Sequence, residues 1–160
     1  MSKLVIDPFS AKLAALSGGS GLIDLLLVYS PETAFSLIGT YGDEGRAAYS
    51  HFTSTGDLVF PVTYGLLLSL AMSWLLQRGT AATSRLRLLN LLPVAAWAFD
   101  WLENAMILTL LGQYPDRPVV VAWIASFATL AKWLMSALTV LCLLGALGLW
   151  WKARTSGKRA

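Results

Sequence analysis

The sequence predicts an all-α fold: a polytopic membrane protein built as a four-transmembrane-helix bundle. Of its 160 residues, 56% are hydrophobic and 13% are charged, whereas soluble domains carry roughly 25% charged residues. The apolar residues fall into four long segments separated by polar stretches. Nearly all basic residues would lie on one side of a four-span arrangement, which is typical of a membrane protein with fixed orientation.

The four apolar segments cover about residues 12–30, 56–77, 86–112 and 119–151. A membrane-crossing helix needs roughly 20 apolar residues, so each segment can span once. The first is the shortest and least apolar. Glycines and Asp24 interrupt it, so we expect no cleaved signal peptide. The fourth exceeds a vertical span, so we expect it to tilt or to project from the membrane.

The remaining stretches predict one membrane domain over residues 1–153 and a polar tail over residues 154–160. Between the first two spans, residues 31–55 contain a proline, several glycines and several charges. Such residues favour turns over a continuous helix. We therefore predict an outer loop there, with a short surface helix near Glu32 to Ile38.

Charge asymmetry predicts the orientation. The side with Arg46 and Arg117 also carries Glu32, Asp43, Glu44 and Asp116. The opposite side carries most of the basic residues: Lys3, Lys12, Arg78, Arg85, Arg87, Lys152, Arg154, Lys158 and Arg159. Because basic residues concentrate on the cytoplasmic side, we expect both termini to be cytoplasmic.

The third span contains the most informative polar residues. Asp100, Glu103 and Asn104 share one helical face within the run LPVAAWAFDWLENAMI. Ionisable groups in hydrocarbon are costly and normally face a bundle interior, a partner or water. We therefore expect a polar site at membrane depth. Pro93, earlier in the same span, is expected to kink the helix.

Polar residues on the other spans fall at comparable depth. Lys132 on the fourth span lies about as far from the outer membrane surface as Asp100, so it is expected to pair with Asp100 or Glu103. Tyr64 and Asp57 share a face of the second span, and Asp24 lies near the outer end of the first. We predict that these groups converge on a cavity open to the outer face, with seven ligand-binding residues: Asp24, Asp57, Tyr64, Asp100, Glu103, Asn104 and Lys132.

Structural roles are alternatives for the same residues. Asp100 and Glu103 would then form a polar knot with Lys132 and Asn104, although one lysine does not neutralise two acids. Asp57 would cap the start of the second span, since aspartate is favoured there. Small or polar residues also recur at spacings of three or four along the fourth span, an arrangement that suits close helix packing: Ser126, Thr129, Lys132, Ser136 and Thr139.

No motif indicates a cofactor. The single cysteine, Cys142, excludes an internal disulfide, and the single histidine, His51, excludes a bis-histidine haem. A hard cation held by Asp24, Asp57 and Glu103 is conceivable, but we expect no metal and no cofactor. The net charge of +3 follows from topology, so we expect no nucleic-acid partner.

A partial resemblance bears on function. Asp24 in the first span and the run Asp57 to Pro61 in the second resemble the four-helix sterol isomerase and sigma-2 receptor group. That resemblance covers about a third of the chain and implies a lipid isomerase or sterol-binding role. The chain departs from the group in its third-span acidic cluster and in lacking an intramembrane histidine.

Three functions follow as expectations. The leading one is a small integral membrane protein whose outward-facing buried acidic site binds a small or lipid-like ligand. The second is a membrane enzyme that performs acid–base chemistry on a lipid, as an isomerase does. The third is a non-catalytic accessory subunit of a larger membrane complex. The expected partners are the lipid bilayer, such a ligand, and a second copy or a larger complex.

Overall fold

The computed structural model describes residues 21–156. In this range the chain is helical and contains no β-strand. Four α-helices follow one another: α1 (Pro31–Thr40), α2 (Gly42–Gly79), α3 (Leu92–Gly112) and α4 (Val119–Ser156). Two short 3-10 segments, Ile23–Leu25 and Arg85–Leu91, precede α1 and α3. The all-α prediction is therefore confirmed.

Three of the helical segments are long and apolar enough to cross a membrane. They are Gly42–Gly79, Arg85–Gly112 and Val119–Ser156, with mean hydropathies of 1.7, 1.3 and 1.9 over their most apolar stretches. Large apolar side chains also remain exposed along them, for example Leu70 (68%) and Val120 (71%). An exposed apolar surface of this kind requires a nonaqueous environment or a partner, which supports a membrane protein.

The predicted first span is only partly within the described residues. Residues 12–20 lie outside them, whereas residues 21–30 contain one 3-10 turn, Ile23–Leu25, within otherwise non-helical chain. Gly21 adopts a positive φ of 74°, a conformation that a helix does not accommodate. The prediction that the first helix continues to residue 30 is therefore wrong.

The short helix α1 has a clear start signal. The Ser30 side chain accepts a hydrogen bond from the Thr33 backbone N–H at 3.2 Å, and Pro31 occupies the first helical position. Hydrogen bonds from its own backbone N–H and from Ser30 lower the pKa of Glu32, which stabilises its charge in the first turn. This helix lies where the sequence predicted a short one.

The helix of the second predicted span, α2, begins earlier than predicted. A loop was expected up to residue 55, but α2 starts at Gly42, whose positive φ of 62° makes the turn from α1. Asp43 and Glu44 in its first turn stabilise the positive end of the helix dipole. The glycines that suggested a loop are tolerated because this segment packs: Tyr49 and Thr53 are buried on its inner face.

Two consequences of these boundaries correct the sequence interpretation. Asp57 lies in the interior of α2, so its assignment as a helix cap is wrong. Pro93 lies at the second position of α3, where its missing N–H leaves no hydrogen bond unmade. The proline thus lies at the junction between the 3-10 segment and α3, where the sequence predicted a kink inside a continuous helix.

The described chain divides into two compact units. The first contains the residues up to Val59 together with Trp101–Leu130, and the second contains Phe60–Asp100 and the residues from Ala131 onward. The core of the first unit joins side chains before α1, in α1 and in the long helices: Ile23, Tyr29, Ala34, Ile38, Tyr41, Tyr49, Ile107, Leu110 and Ala122. The second unit has a smaller core around Met72, Leu76 and Ala146.

In the second unit, the end of α2 packs directly against α4 at a glycine. A Cβ atom added at Gly79 would lie 2.8 Å from the Trp150 backbone nitrogen and 3.1 Å from the Leu149 carbonyl carbon. Backbone atoms of this kind do not move aside easily. The absence of a side chain at Gly79 therefore permits this approach of the two helices.

We expect Gly79→Ala to lower the free energy of unfolding by about 1–3 kcal/mol, because the added methyl group overpacks the contact. Thermal unfolding in detergent, followed by tryptophan fluorescence, measures this change. Gly145→Ala is the matched control, since nothing lies within 4 Å of its added Cβ. Equal unfolding temperatures for the two variants would contradict the close approach.

Candidate functional site

Three polar side chains meet in the second unit, one from each long helix. Lys132 Nζ lies 3.6 Å from Asp100 Oδ1, and the Tyr64 hydroxyl donates a hydrogen bond to Asp100 Oδ2 at 2.9 Å. Tyr64 is on α2, Asp100 on α3 and Lys132 on α4. Of the two lysine pairings that the sequence allowed, the structure has the one with Asp100. We call these three residues the polar triad.

The charged side chains of the triad are largely buried but remain accessible through a cavity. The Lys132 and Asp100 side chains are 12% and 14% exposed. Both line a cavity of about 260 Å³ together with Tyr64, Ser136 and two aromatic residues. Those aromatics, Phe60 and Trp133, are 66% and 42% exposed, so they form the rim. An ion pair therefore lines an opening that is surrounded by aromatic side chains.

Local helix geometry explains why these side chains share the cavity. Phe60 and Tyr64 are four residues apart on α2, and their rings contact edge-on with centroids 5.5 Å apart. Lys132 and Ser136 are likewise four residues apart on α4 and line the same cavity. The Lys132 ammonium also lies 5.8 Å from the centroid of the Trp133 ring, within cation–π range.

The other predicted acid of the third span, Glu103, lies in the first unit. Its side chain is fully buried, and the Thr129 hydroxyl donates a hydrogen bond to Glu103 Oε1 at 2.5 Å. The same hydroxyl lies 3.0 Å from the Ala125 carbonyl oxygen of its own helix. Thr129 belongs to the set of residues predicted at spacings of three or four on the fourth span, which we call the polar stripe. This stripe therefore supplies an interhelical hydrogen bond.

Asn104 and Asp57 are also joined in the first unit, through the backbone. The Asn104 side-chain amide donates to the Asp57 carbonyl oxygen at 3.0 Å. Close by on the same two helices, the Trp101 indole N–H donates to the Leu58 carbonyl oxygen at 3.1 Å. Side chains of α3 thus bind backbone carbonyls of α2 at two adjacent positions, shortly before the proline at position 61. A proline removes the N–H that the carbonyl four residues earlier, that of Asp57, would otherwise accept.

Asp24 has a partner that sequence reasoning missed. The Tyr49 hydroxyl donates to Asp24 Oδ1 at 2.5 Å, and Tyr49 is only 1% exposed. Nearby, the Tyr41 hydroxyl donates to the Gly21 carbonyl oxygen at 3.1 Å. Burial, followed by the negative charge of Asp24, raises the pKa of Tyr41 and keeps its phenol neutral. The sequence indicates the depth of Tyr49, but its pairing depends on helix rotation.

The segment before α1 is fixed to α4 by a further hydrogen bond. The Tyr29 backbone N–H donates to the Ser126 hydroxyl at 3.0 Å, and both residues are buried. Ser126 is another member of the predicted polar stripe. The stripe therefore satisfies a backbone group of the irregular segment between residues 26 and 30, which has no helical partner of its own.

The predicted site residues thus fall into two sets. Tyr64, Asp100 and Lys132 line one cavity in the second unit. The others bond to protein groups within the first unit: Asp24, Asp57, Glu103 and Asn104. Convergence of all seven on one cavity stays a prediction.

Among residues 21–156, no group of three or more histidine, cysteine, aspartate or glutamate side chains is placed to hold a metal ion. The conceivable cation site of Asp24, Asp57 and Glu103 is thus not assembled in the described chain. What the described residues offer instead is acid–base and hydrogen-bonding chemistry: a carboxyl, an ammonium and a phenol in one cavity.

No known protein family, curated protein or solved structure matches this chain. Function must therefore be argued from the residues themselves.

We expect Thr129→Val to lower the free energy of unfolding by about 1–3 kcal/mol, because it removes a hydrogen bond to a buried carboxyl. Chemical or thermal unfolding in detergent measures the loss. Thr139→Val is the matched control: Thr139 is equally buried, and its hydroxyl donates to the Met135 carbonyl oxygen of its own helix. If both variants lose the same free energy of unfolding, the Thr129–Glu103 hydrogen bond stabilises the fold no more than a hydroxyl bond within one helix.

Proposed function

We propose that this chain is an integral membrane protein that binds a small or lipid-like ligand at membrane depth. The observation that supports this is the polar triad of Tyr64, Asp100 and Lys132, which lines a cavity with an exposed aromatic rim. The ligand's polar group would contact the triad. Its apolar part would lie against Phe60 and Trp133.

The energetics of ion pairs favour this function over a purely structural role. Moving a carboxylate and an ammonium out of water costs several kcal/mol per ion, and their attraction repays this only with excellent geometry. The Lys132–Asp100 separation of 3.6 Å is longer than a hydrogen bond. A well-packed apolar pair would serve stability at least as well, so the charged pair next to a cavity is better explained by recognition.

The chemistry of the cavity limits the ligand. The negative charge of Asp100 and the positive charge of Lys132 cancel, so the cavity does not favour a ligand of large net charge. The carboxylate accepts hydrogen bonds and the ammonium donates them, so a hydroxyl, amide or zwitterionic group suits both. Aromatic side chains at the rim suit an amphipathic molecule whose apolar part reaches the bilayer. We therefore place the ligand in the class of amphipathic lipids or lipid-like molecules.

Glu103, Asn104, Asp57 and Asp24 take a supporting role in this proposal. Each bonds to the protein within the first unit, through Thr129, the Asp57 backbone or Tyr49. Glu103 is a completely buried acid that the Thr129 hydroxyl holds within the first unit.

For topology we propose the four-span bundle with both termini in the cytoplasm. Support comes from the basic residues that flank the 80–84 turn, Arg78 and Arg87, and from Arg154 at the end of α4. The opposite turn, residues 113–118, carries Asp116 beside Arg117. Under the positive-inside rule this places the end of α4 in the cytoplasm. The first span predicted from the sequence over about residues 12–30, of which residues 12–20 lie outside the described residues, would bring the N-terminus to the same side.

We expect single cysteines at Ser156 and Ser2, placed in a Cys142→Ser background, to resist a membrane-impermeant maleimide in intact cells. A cysteine replacing Gln113 should react, because it lies in the turn on the opposite side. Labelling of Ser2→Cys without Ser156→Cys would contradict the four-span arrangement and leave three spans. Labelling of Ser156→Cys would contradict the orientation.

We expect the protein, extracted gently from its own membrane, to retain a small or lipid-like molecule in native mass spectrometry. The double variant Asp100→Leu with Lys132→Leu should lose it while unfolding at an equal or higher temperature, because no unpaired charge is left behind. Tyr64→Phe should weaken retention about two- to tenfold through one lost hydrogen bond. Tyr114→Phe, outside the cavity, is the matched control.

Full retention by the double variant would contradict the proposal. Retention of a partner protein with no small molecule, in both wild type and variant, would instead indicate an accessory subunit whose ion pair is structural.

An enzyme acting on a lipid is the second candidate, favoured by the hydrogen bond between a phenol and a paired carboxyl in the triad. Such a pair can hold and transfer a proton. An enzyme would turn over the retained lipid with a bell-shaped pH dependence and would lose turnover in Asp100→Asn. A binding protein would return the lipid unchanged.

A further inference from the structure

The second unit carries a row of alternating cations and indole rings near the ends of α2 and α4. The Arg78 guanidinium lies 4.2 Å from the centroid of the Trp74 ring, and the Arg154 guanidinium lies 5.4 Å from that of Trp150. The two indoles contact each other with centroids 5.6 Å apart. We call these four residues, Trp74, Arg78, Trp150 and Arg154, the basic–aromatic row.

Close helix packing fixes this row. Gly79 approaches the backbone of α4 at Leu149 and Trp150, and the Trp74 ring on the preceding turns of α2 contacts the Trp150 ring. The neighbouring Arg87 bonds to backbone instead. Its Nη2 donates to the carbonyl oxygens of Gln77 and Thr80, each at 3.4 Å, at the end of α2. Such bonds satisfy helix C-terminal carbonyls, whereas Arg78 and Arg154 are exposed.

The charge around the row is not balanced within the unit. Residues 60–99 and 131–160 contain no aspartate or glutamate. The one acid of this unit, Asp100, pairs with Lys132. The row and its flanking Arg85 and Lys152 therefore present positive charge only, and the complementary partner is an anion.

An apolar groove adjoins one indole of the row, that of Trp150. It has a volume of about 490 Å³ and is lined by Leu144, Leu147, Gly148, Trp150 and Trp151. Gly148 leaves room in its floor, since nothing lies within 4 Å of its Cβ position. Trp151 is 61% exposed at its edge. An occupant with an acyl chain fits such a groove, and tryptophan is the residue most typical of the level of lipid headgroups.

We propose that the basic–aromatic row binds the phosphate headgroup of an anionic phospholipid, with an acyl chain lying in the groove beside Trp150. Guanidinium groups bind phosphate oxygens in a two-pronged geometry, and stacking on indoles holds their planes in place while leaving the N–H edges outward. Basic residues near the membrane surface are attracted to anionic lipids. This site is separate from the triad and does not depend on the proposed function.

The test measures which lipid the full-length protein retains. The protein is reconstituted in an equimolar mixture of phosphatidylglycerol and phosphatidylcholine, and native mass spectrometry counts each lipid that remains bound. We expect the wild type to prefer phosphatidylglycerol. In Arg78→Gln with Arg154→Gln, the preference should fall by about tenfold or more, since each of these arginines loses its charge-assisted hydrogen bonds to the phosphate.

The matched control is Arg85→Gln with Lys152→Gln, which removes the same charge from neighbouring sequence positions outside the row. We expect it to keep most of the wild-type preference. Equal losses in the two double variants would overturn the proposal, because the effect would then be a general surface potential. Displacement of the preference by excess inorganic phosphate would overturn the choice of a lipid, since it would indicate a site for free phosphate.

Discussion

The cost of placing charge in hydrocarbon is the constraint on which this structure depends. A chain with three helices apolar enough to cross a membrane carries Asp100 and Lys132 in the middle of two of them. Those charges lie 3.6 Å apart, with Tyr64 bonded to the same carboxyl, so each is partly compensated by the other. Each of the long helices contributes one member, so the triad also restricts how these helices rotate within their unit.

The same constraint organises the polar groups of the first unit differently. Here a buried acid, a buried amide and an irregular segment are satisfied by protein groups on neighbouring helices: Glu103 by Thr129, Asn104 by the Asp57 carbonyl, Tyr29 by Ser126. Proline at position 61 and the non-helical residues before α1 leave backbone groups without helical partners, and side chains supply them. One unit therefore resembles a hydrogen-bonded framework, whereas the other lines an open cavity with its polar groups.

Sequence reasoning succeeded where depth along a helix decides the outcome. Counting residues from the turn between the third and fourth spans placed Lys132 level with Asp100, and the two are paired. It failed where packing overrides local preference. Residues 42–55 contain Gly45 and several polar residues, which indicated a loop, yet burial of Tyr49 and Thr53 stabilises them as the first turns of α2. Since only a helix that begins near residue 56 would place Asp57 at its start, the cap alternative fails together with that predicted start.

Partners distant in sequence were beyond prediction for a related reason. The contact between Tyr49 and Asp24 spans 25 residues and depends on how α2 is rotated, which hydropathy does not determine. The same holds for Trp101 and the Leu58 carbonyl oxygen. The stripe with Ser126 and Thr129 was visible from its spacing, but the identity of its partners required the fold.

Photo-crosslinking from the cavity rim tests the central claim most directly. A photoreactive benzoylphenylalanine replaces Phe60, and in a second variant it replaces Phe127, an aromatic residue of the first unit that is similarly exposed at 60%. After irradiation in native membranes, mass spectrometry identifies the adducts. We predict one dominant amphipathic species at position 60 and a mixture reflecting the bulk lipid at position 127. The same bulk mixture at both positions would contradict a ligand site at the polar triad.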